Sequence, residues 1–395
     1  MRKVEIIIVI CAMVLVTCKD STPVIEEEEQ EYPHPAASSA LISEAAHILY
    51  RSADVMVLEG IADDDSMRLS TQIMNASDLA SVDVHKLGYL PRTFRVPIMS
   101  EIKPPETLYS TSDKIFALSD IEGNFNTLVN LLQQHEVIDQ NLNWSYKTGH
   151  LVVIGDVFDR GVHVPEMLWL LYGLEQQAER AGGVVHLLLG NHEAMNMRGD
   201  MRYLEPKYLR FAELVKQQHE IEHSELYGAS AELGRWLWSK NVIEKIGDQL
   251  YVHAGVSPAL ANSGLSLEEI NDRSRETLSK DKAGFDSVDS LLWGTQGPFW
   301  YRGYFDVNEE HWGPRADQNE VDHVLQTFNA SRIFVGHTHV LRPELKYKGR
   351  VCAIDVLPPK DHLISAPPWR AYGVLIQGDQ VFLADEDGGL ELMEP

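Results

Sequence analysis

The chain has 395 residues, 44% of them hydrophobic and 24% charged, and a formal net charge of −25. That length suits one large or two ordinary domains with a sizeable core. The acidic balance argues against nucleic acid as the main partner, because phosphate backbones are held by cationic surface.

The N-terminus reads "MRKVEIIIVICAMVLVTC": a basic start, an apolar run from Ile6 to Val16, then a cysteine. The run is too short for a membrane span and has the layout of a secretory leader. "LVTC" resembles the cleavage and lipidation motif of bacterial lipoproteins, although Thr17 departs from the small residue usual before the cysteine. The expectation is a leader over 1–17, a lipid-anchored Cys18, and an exported protein, membrane-held or periplasmic. Of the three cysteines, Cys11 lies in the leader and Cys18 is the anchor, so Cys352 alone remains and no internal disulfide forms. Residues 18–40, charged and proline-bearing, predict a disordered tether. Residues 41–113 predict an extension packed on the main domain, in which "ALISEAAHILYRSADVMVLEG" suits an amphipathic helix and "TFRVPIMSEI" a strand.

From Lys114 short apolar runs alternate with amphipathic segments. "KIFALSD" precedes the helical "NFNTLVNLLQQHEV", and "HLVVIGD" precedes "VPEMLWLLYGLEQQAERA". "GVVHLLLGN" leads into a long helical stretch, predicted as a cap. "QLYVHAG", "SRIFVGH" and "RVCAID" follow, and "YGVLIQGDQVFLAD" reads as a hairpin. The pattern predicts an α/β domain over 114–395 with a largely buried sheet.

Five of these runs end in a group able to bind metal: Asp120, Asp156, Asn191, His253, and His337 with His339. In open α/β sheets ligands collect beyond the carboxyl ends of strands, which brings such residues to one crevice. Carboxylate, amide oxygen and imidazole without thiolate suit Mn, Fe or Zn in a two-ion site, with Mn favoured.

The ordered set "SDIEGN", "GDVFDRG", "GNHE", "HAG" and "GHTH" resembles the calcineurin-like metallophosphoesterases, and "GDVFDRG" with "GNHE" their phosphoprotein phosphatase branch. "LLLGNHEAMNMRGDMRYLEP" and "GPFWYRGYF" are similar to its bacterial, Shewanella-like members. The resemblance implies a layered β-sandwich flanked by helices with a helical cap insertion. It implies Asp156 bridging two divalent ions, Asp120 on the first, and Asn191, His253 and His337 on the second. His192 would protonate the leaving group, oriented by Asp159, and Arg160 would clamp phosphoryl oxygens. The family keeps a histidine where this chain has Glu122. Shewanella-like members usually lack the second histidine of "GHTH", so His339 is read as the displaced ligand, with Glu122 binding directly, through water, or from behind a ligand.

Each role has its own chemical reason. Paired ions generate a hydroxide near neutral pH and stabilise in-line displacement on phosphorus. An imidazolium needs a carboxylate to orient it, and an arginine fork matches two phosphate oxygens. Arg198, Arg202, Arg210 and Arg302 are further candidates for phosphate contact, with Arg302 preferred as the second clamp. Trp300, Tyr301 and Tyr304 suit either an aromatic leaving group or the core. The implied activity is hydrolysis of phosphomonoesters, as a serine/threonine- or tyrosine-type protein phosphatase acting on phosphorylated protein or a small phosphoester. The alternatives are a nucleotide or dinucleotide phosphohydrolase, or an inactive binding protein of the same fold.

Overall fold

The computed structural model describes residues 32–33, 38–110, 112, 114–361, 363–364 and 370–395. The leader and Cys18 lie outside the described residues, as does most of the expected tether. Where the tether re-enters description, Ser38–Leu41 is a helical turn with Ala40 buried. Among the described residues no helix is long and apolar enough to cross a membrane.

The segment predicted as an amphipathic helix is instead two strands, β1 (Glu44–Arg51) and β2 (Asp54–Asp63), paired antiparallel with each other, and β2 pairs on its other side with β3 (Ser66–Asn75), also antiparallel. Its alanines and leucines satisfy helical spacing, but a bulge between Glu44 and His47 keeps Ala45, Ala46, Ile48 and Leu49 all buried in the sheet. A hairpin of β4 (Ser81–Lys86) and β5 (Arg92–Pro97) follows, the second strand matching its expectation.

Two six-stranded sheets form the centre. One contains the parallel strands β7 (Ile115–Leu118), β8 (His150–Val153) and β9 (Val184–Leu187). It continues through the hairpin β15 (Tyr372–Gln377) and β16 (Gln380–Asp385) to β17 (Leu390–Leu392). The other runs from β6 (Leu108–Tyr109) through β10 (Ile243–Ile246), β11 (Gln249–Val252) and β12 (Arg332–Val335). It ends with β14 (Val351–Ala353) and then β13 (Glu344–Lys346). Strand side chains alternate in direction. Ile115, Ala117 and Val152 therefore meet Tyr251, Phe334 and Cys352 between the sheets, while Phe116, Leu118, Leu151 and Val153 join the larger cluster that includes the helices. With both faces covered, these strands read as continuous apolar runs.

Helices α1 (Phe125–Gln134) and α2 (Val164–Ala181) follow β7 and β8. The cap comprises α3 (Asn191–Met197), α4 (Pro206–His219), a 3-10 turn at His223–Tyr227, and α5 (Glu232–Ser239). The N-terminal strands pack on this side. Trp169 donates its indole N–H to the Ala46 carbonyl at 2.8 Å. Glu44 pairs at 2.8 Å with Lys207 of α4, both side chains fully buried, and Lys207 also donates to the Val162 carbonyl at 2.5 Å. An extension residue thus reaches the loop that carries Asp159 and Arg160.

Candidate metal centre and proton donor

The parallel register brings the strand ends level, with Leu118 opposite Val153, Val153 opposite Leu187, and Val335 opposite Ala353. The loops after β7 and β8 are zipped together by backbone bonds from Asp120 to Gly155, Glu122 to Asp156 and Gly123 to Val157. Asp120, Glu122, Asp156, Asp159, Arg160 and His337 all have positive φ, between 46° and 71°. Non-glycine residues take that conformation at a cost and concentrate in it at functional sites. Gly336 and Gly190 allow the close approach. A Cβ on Gly336 would stand 2.3 Å from an Asp120 carboxylate oxygen, and one on Gly190 2.2 Å from Asp156.

One ligand set is fully gathered. The ligating atoms of Asp156, His253 and His337 lie within 4.8 Å of one another, all three residues buried. His253 donates from Nδ1 to the Ile154 carbonyl at 2.8 Å, which directs Nε2 to Asn191 Oδ1 at 2.9 Å and Asp156 Oδ2 at 3.2 Å. This is how a ligating imidazole is held by its far nitrogen. His337 Nε2 is buried without a hydrogen-bond partner. Burial, then Arg302 and His253, push the His337 pKa well down, so the ring is neutral as a metal ligand must be. Burial and then Asp355 push the Asp120 pKa well above the carboxylate range. An orphan imidazole nitrogen beside convergent oxygens fits a divalent ion.

The residues read for the other ion are not gathered in the same way. Asp120 accepts from Ser119 Oγ and from the His337 backbone N–H, the latter at 3.1 Å. Glu122, buried, forms an ion pair with Arg160. His339, its side chain 45% exposed, donates from Nδ1 to Asp355 at 2.8 Å. Glu122 nonetheless raises the His339 pKa, after Asp355, and His339 lowers that of Glu122, after Arg160 and His192.

Beside the gathered set, His192 Nδ1 donates to Asp159 Oδ2 at 2.5 Å, and Nε2 lies 3.8 Å from Asp156. Burial would lower the His192 pKa, but Asp156 and the bond to Asp159 raise it above the usual value. Arg160 lies over the Tyr203 ring at 5.2 Å, and that ring is 5.1 Å from His192. Arg302 donates to Oγ1 of Thr338, the residue after His337, at 3.0 Å, stacks over Trp312 at 4.7 Å, and its Nε is buried without a hydrogen-bond partner. The remaining arginines serve elsewhere: Arg198 binds the Thr277 and Leu278 carbonyls, Arg202 pairs with Asp200, and Arg210 with Glu213. Tyr301 and Tyr304 are core residues, whereas Trp300 is partly exposed with its ring 5.8 Å from His337.

Two residues escaped sequence reasoning. Glu193 accepts from the backbone N–H groups of Asp156, Gly190, Val157 and Phe158, so one carboxylate clamps both ligand loops. Its signal is an acid at the third helical position after "GN", the spacing of a capping box. Asp355, fully buried, follows the run "RVCAI" just as Asp120 and Asp156 follow theirs, so the same strand-end rule would have found it.

The calcineurin-like phosphoesterase family model matches residues 113–341, more than half of the chain. An uncharacterized Schizosaccharomyces pombe protein is 32% identical over 272 residues, 66% of this chain and 76% of that one. Shewanella-like protein phosphatase 1 of Plasmodium berghei is 26% identical over 256 residues, covering 63% and 69%. The crystal structure of a cold-active protein-tyrosine phosphatase from a psychrophilic Shewanella superposes with a TM-score of 0.75 at 33% identity, over 88% of this chain and 98% of that one. The chain belongs to the calcineurin-like phosphoesterases, within their Shewanella-like phosphatase branch.

Proposed function

We propose that this metal-dependent phosphatase hydrolyses phosphomonoesters on proteins, phosphotyrosine foremost, with two divalent ions and manganese the favoured metal. The observation that carries the reading is the buried meeting of Asp156, Asn191, His253 and His337 beside a carboxylate-held His192. Bound ions would neutralise phosphoryl charge and lower the pKa of the attacking water. The protein's own part is then positioning and proton transfer. Arg302, held at Thr338 beside His337, binds phosphoryl oxygens, and Arg160 does so once phosphate competes with Glu122 for its guanidinium.

His192, its Nδ1–H fixed on Asp159, holds a proton at Nε2 for the departing oxygen. The preference for an aromatic leaving group is supported by Tyr203, 44% exposed at the proton-donor side, and by the likeness to the Shewanella protein-tyrosine phosphatase. Export with lipidation at Cys18 also belongs to the proposal. His192→Ala should cut turnover by about a hundredfold or more while metal content stays at the wild-type level. Loss of metal in step with activity would show instead that His192 is structural.

A further inference from the structure

Asp159 has two carboxylate oxygens in a fully buried place, and water is not available to either. Oδ2 takes the His192 Nδ1–H, and Oδ1 takes Asn196 Nδ2 at 3.0 Å. Asn196 lies one helical turn beyond His192 and donates from the same nitrogen to the His192 carbonyl, also at 3.0 Å. Its oxygen accepts from His223 Nε2 at 3.0 Å. We propose that Asn196 and His223 are positioning residues for proton delivery, fixing Asp159 and through it the direction in which His192 presents Nε2.

Turning the amide over would set its oxygen against the Asp159 carboxylate and the His192 carbonyl, acceptor against acceptor. Those two oxygens therefore fix the NH2 group towards them, and the amide oxygen then takes the Nε2–H of His223. His223 is itself held in place. It is 7% exposed, lies edge-on to Tyr227 with ring centroids 5.6 Å apart, and its Nδ1 is buried without a partner. Burial and the neighbouring His47 lower its pKa to about 4, so the ring is neutral and donates from one nitrogen only. Without the bond to Oδ1 the carboxylate is free to rotate about its last torsion, and His192 turns with it.

The inference rests on His192 being the proton donor, and the test separates the two. Turnover is measured for the metal-loaded full chain on 4-nitrophenyl phosphate, whose leaving group departs readily as an anion, and on phenyl phosphate, whose leaving group gains more from protonation. His192→Ala serves as reference and should lose far more on phenyl phosphate. Asn196→Leu and His223→Phe should lose about tenfold or more in kcat on phenyl phosphate. On the nitrophenyl ester the loss should be no more than about twofold to threefold by the same reasoning. KM and metal content should be unchanged, and His223→Gln, which retains a donor, should recover part of the loss.

Equal losses on both esters, or lost metal, in these variants would overturn the positioning role. If His192→Ala shows no leaving-group bias, the proton-donor reading itself fails and the inference falls with it. Should Asn196→Leu not fold, the His223→Phe and His223→Gln pair decides alone.

Discussion

Glu193→Gln removes one oxygen from the clamp without changing its volume. In the native protein Oε2 accepts from Asp156 N at 2.8 Å and Gly190 N at 2.7 Å, while Oε1 accepts from Val157 N at 2.7 Å and Phe158 N at 3.3 Å. A glutamine oxygen can serve one pair, and its NH2 group then faces the other. Glu193 is fully buried, so no water replaces the lost acceptor. Each buried donor left unpaired costs about 1–3 kcal/mol, which sums to about 2–6 kcal/mol for the pair. Urea unfolding in excess chelator, followed by tryptophan fluorescence, reads this stability without the contribution of bound metal. The same variant should bind metal more weakly, because Asp156 and Asn191 stand on the two loops that Glu193 joins. A change in unfolding free energy below about 0.5 kcal/mol would refute the clamp, since surface substitutions alone produce that much.

His150 and His223 are both held at a pKa of about 4, by burial and then by His186 and His47 respectively. The unfolded chain takes up those protons near pH 6.5 and the folded one does not. Stability is therefore full above pH 6.5 and falls as pH drops towards 4, by up to about 3 kcal/mol for each histidine. Unfolding titrations at pH 7 and pH 5 check this, and His150→Gln should flatten the slope; an unchanged slope would contradict it. Asp355→Asn should weaken one bound ion by about 10- to 100-fold, as loss of a ligand-orienting carboxylate does, and leave the other intact. His339→Ala should do the same, and the double variant should be no worse than either alone. Calorimetric titration with manganese reads both affinities, and two undisturbed sites in Asp355→Asn would remove Asp355 from the centre.

The catalytic half is legible in the sequence because burial on both faces leaves strands as apolar runs, and each run stops where the chain must turn. Asp120, Asp156, Asn191, His253 and His337 stand at those stops, and the register brings them level. Partners distant in sequence are not legible. Nothing in "SDIEGN" announces that Glu122 meets an arginine 38 residues later, or that Glu44 is the counter-ion of Lys207. The N-terminal segment misleads for a related reason. Its Ala, Leu and Glu residues suit a helix, and only pairing with β2 and packing on α2 make it a strand. His339 is recognisable as a histidine free to ligate, but the carboxylate that holds it lies after another strand.

The most direct test of the central claim is metal content by elemental analysis on the purified chain, paired with aryl phosphate hydrolysis before chelation, after it, and after manganese is restored. The account predicts two ions per chain, loss of turnover on chelation, and recovery on readdition, despite Glu122 in the histidine position. A single ion with undiminished turnover would contradict the two-ion centre. Turnover that survives complete removal of metal would contradict the metal-dependent reading altogether.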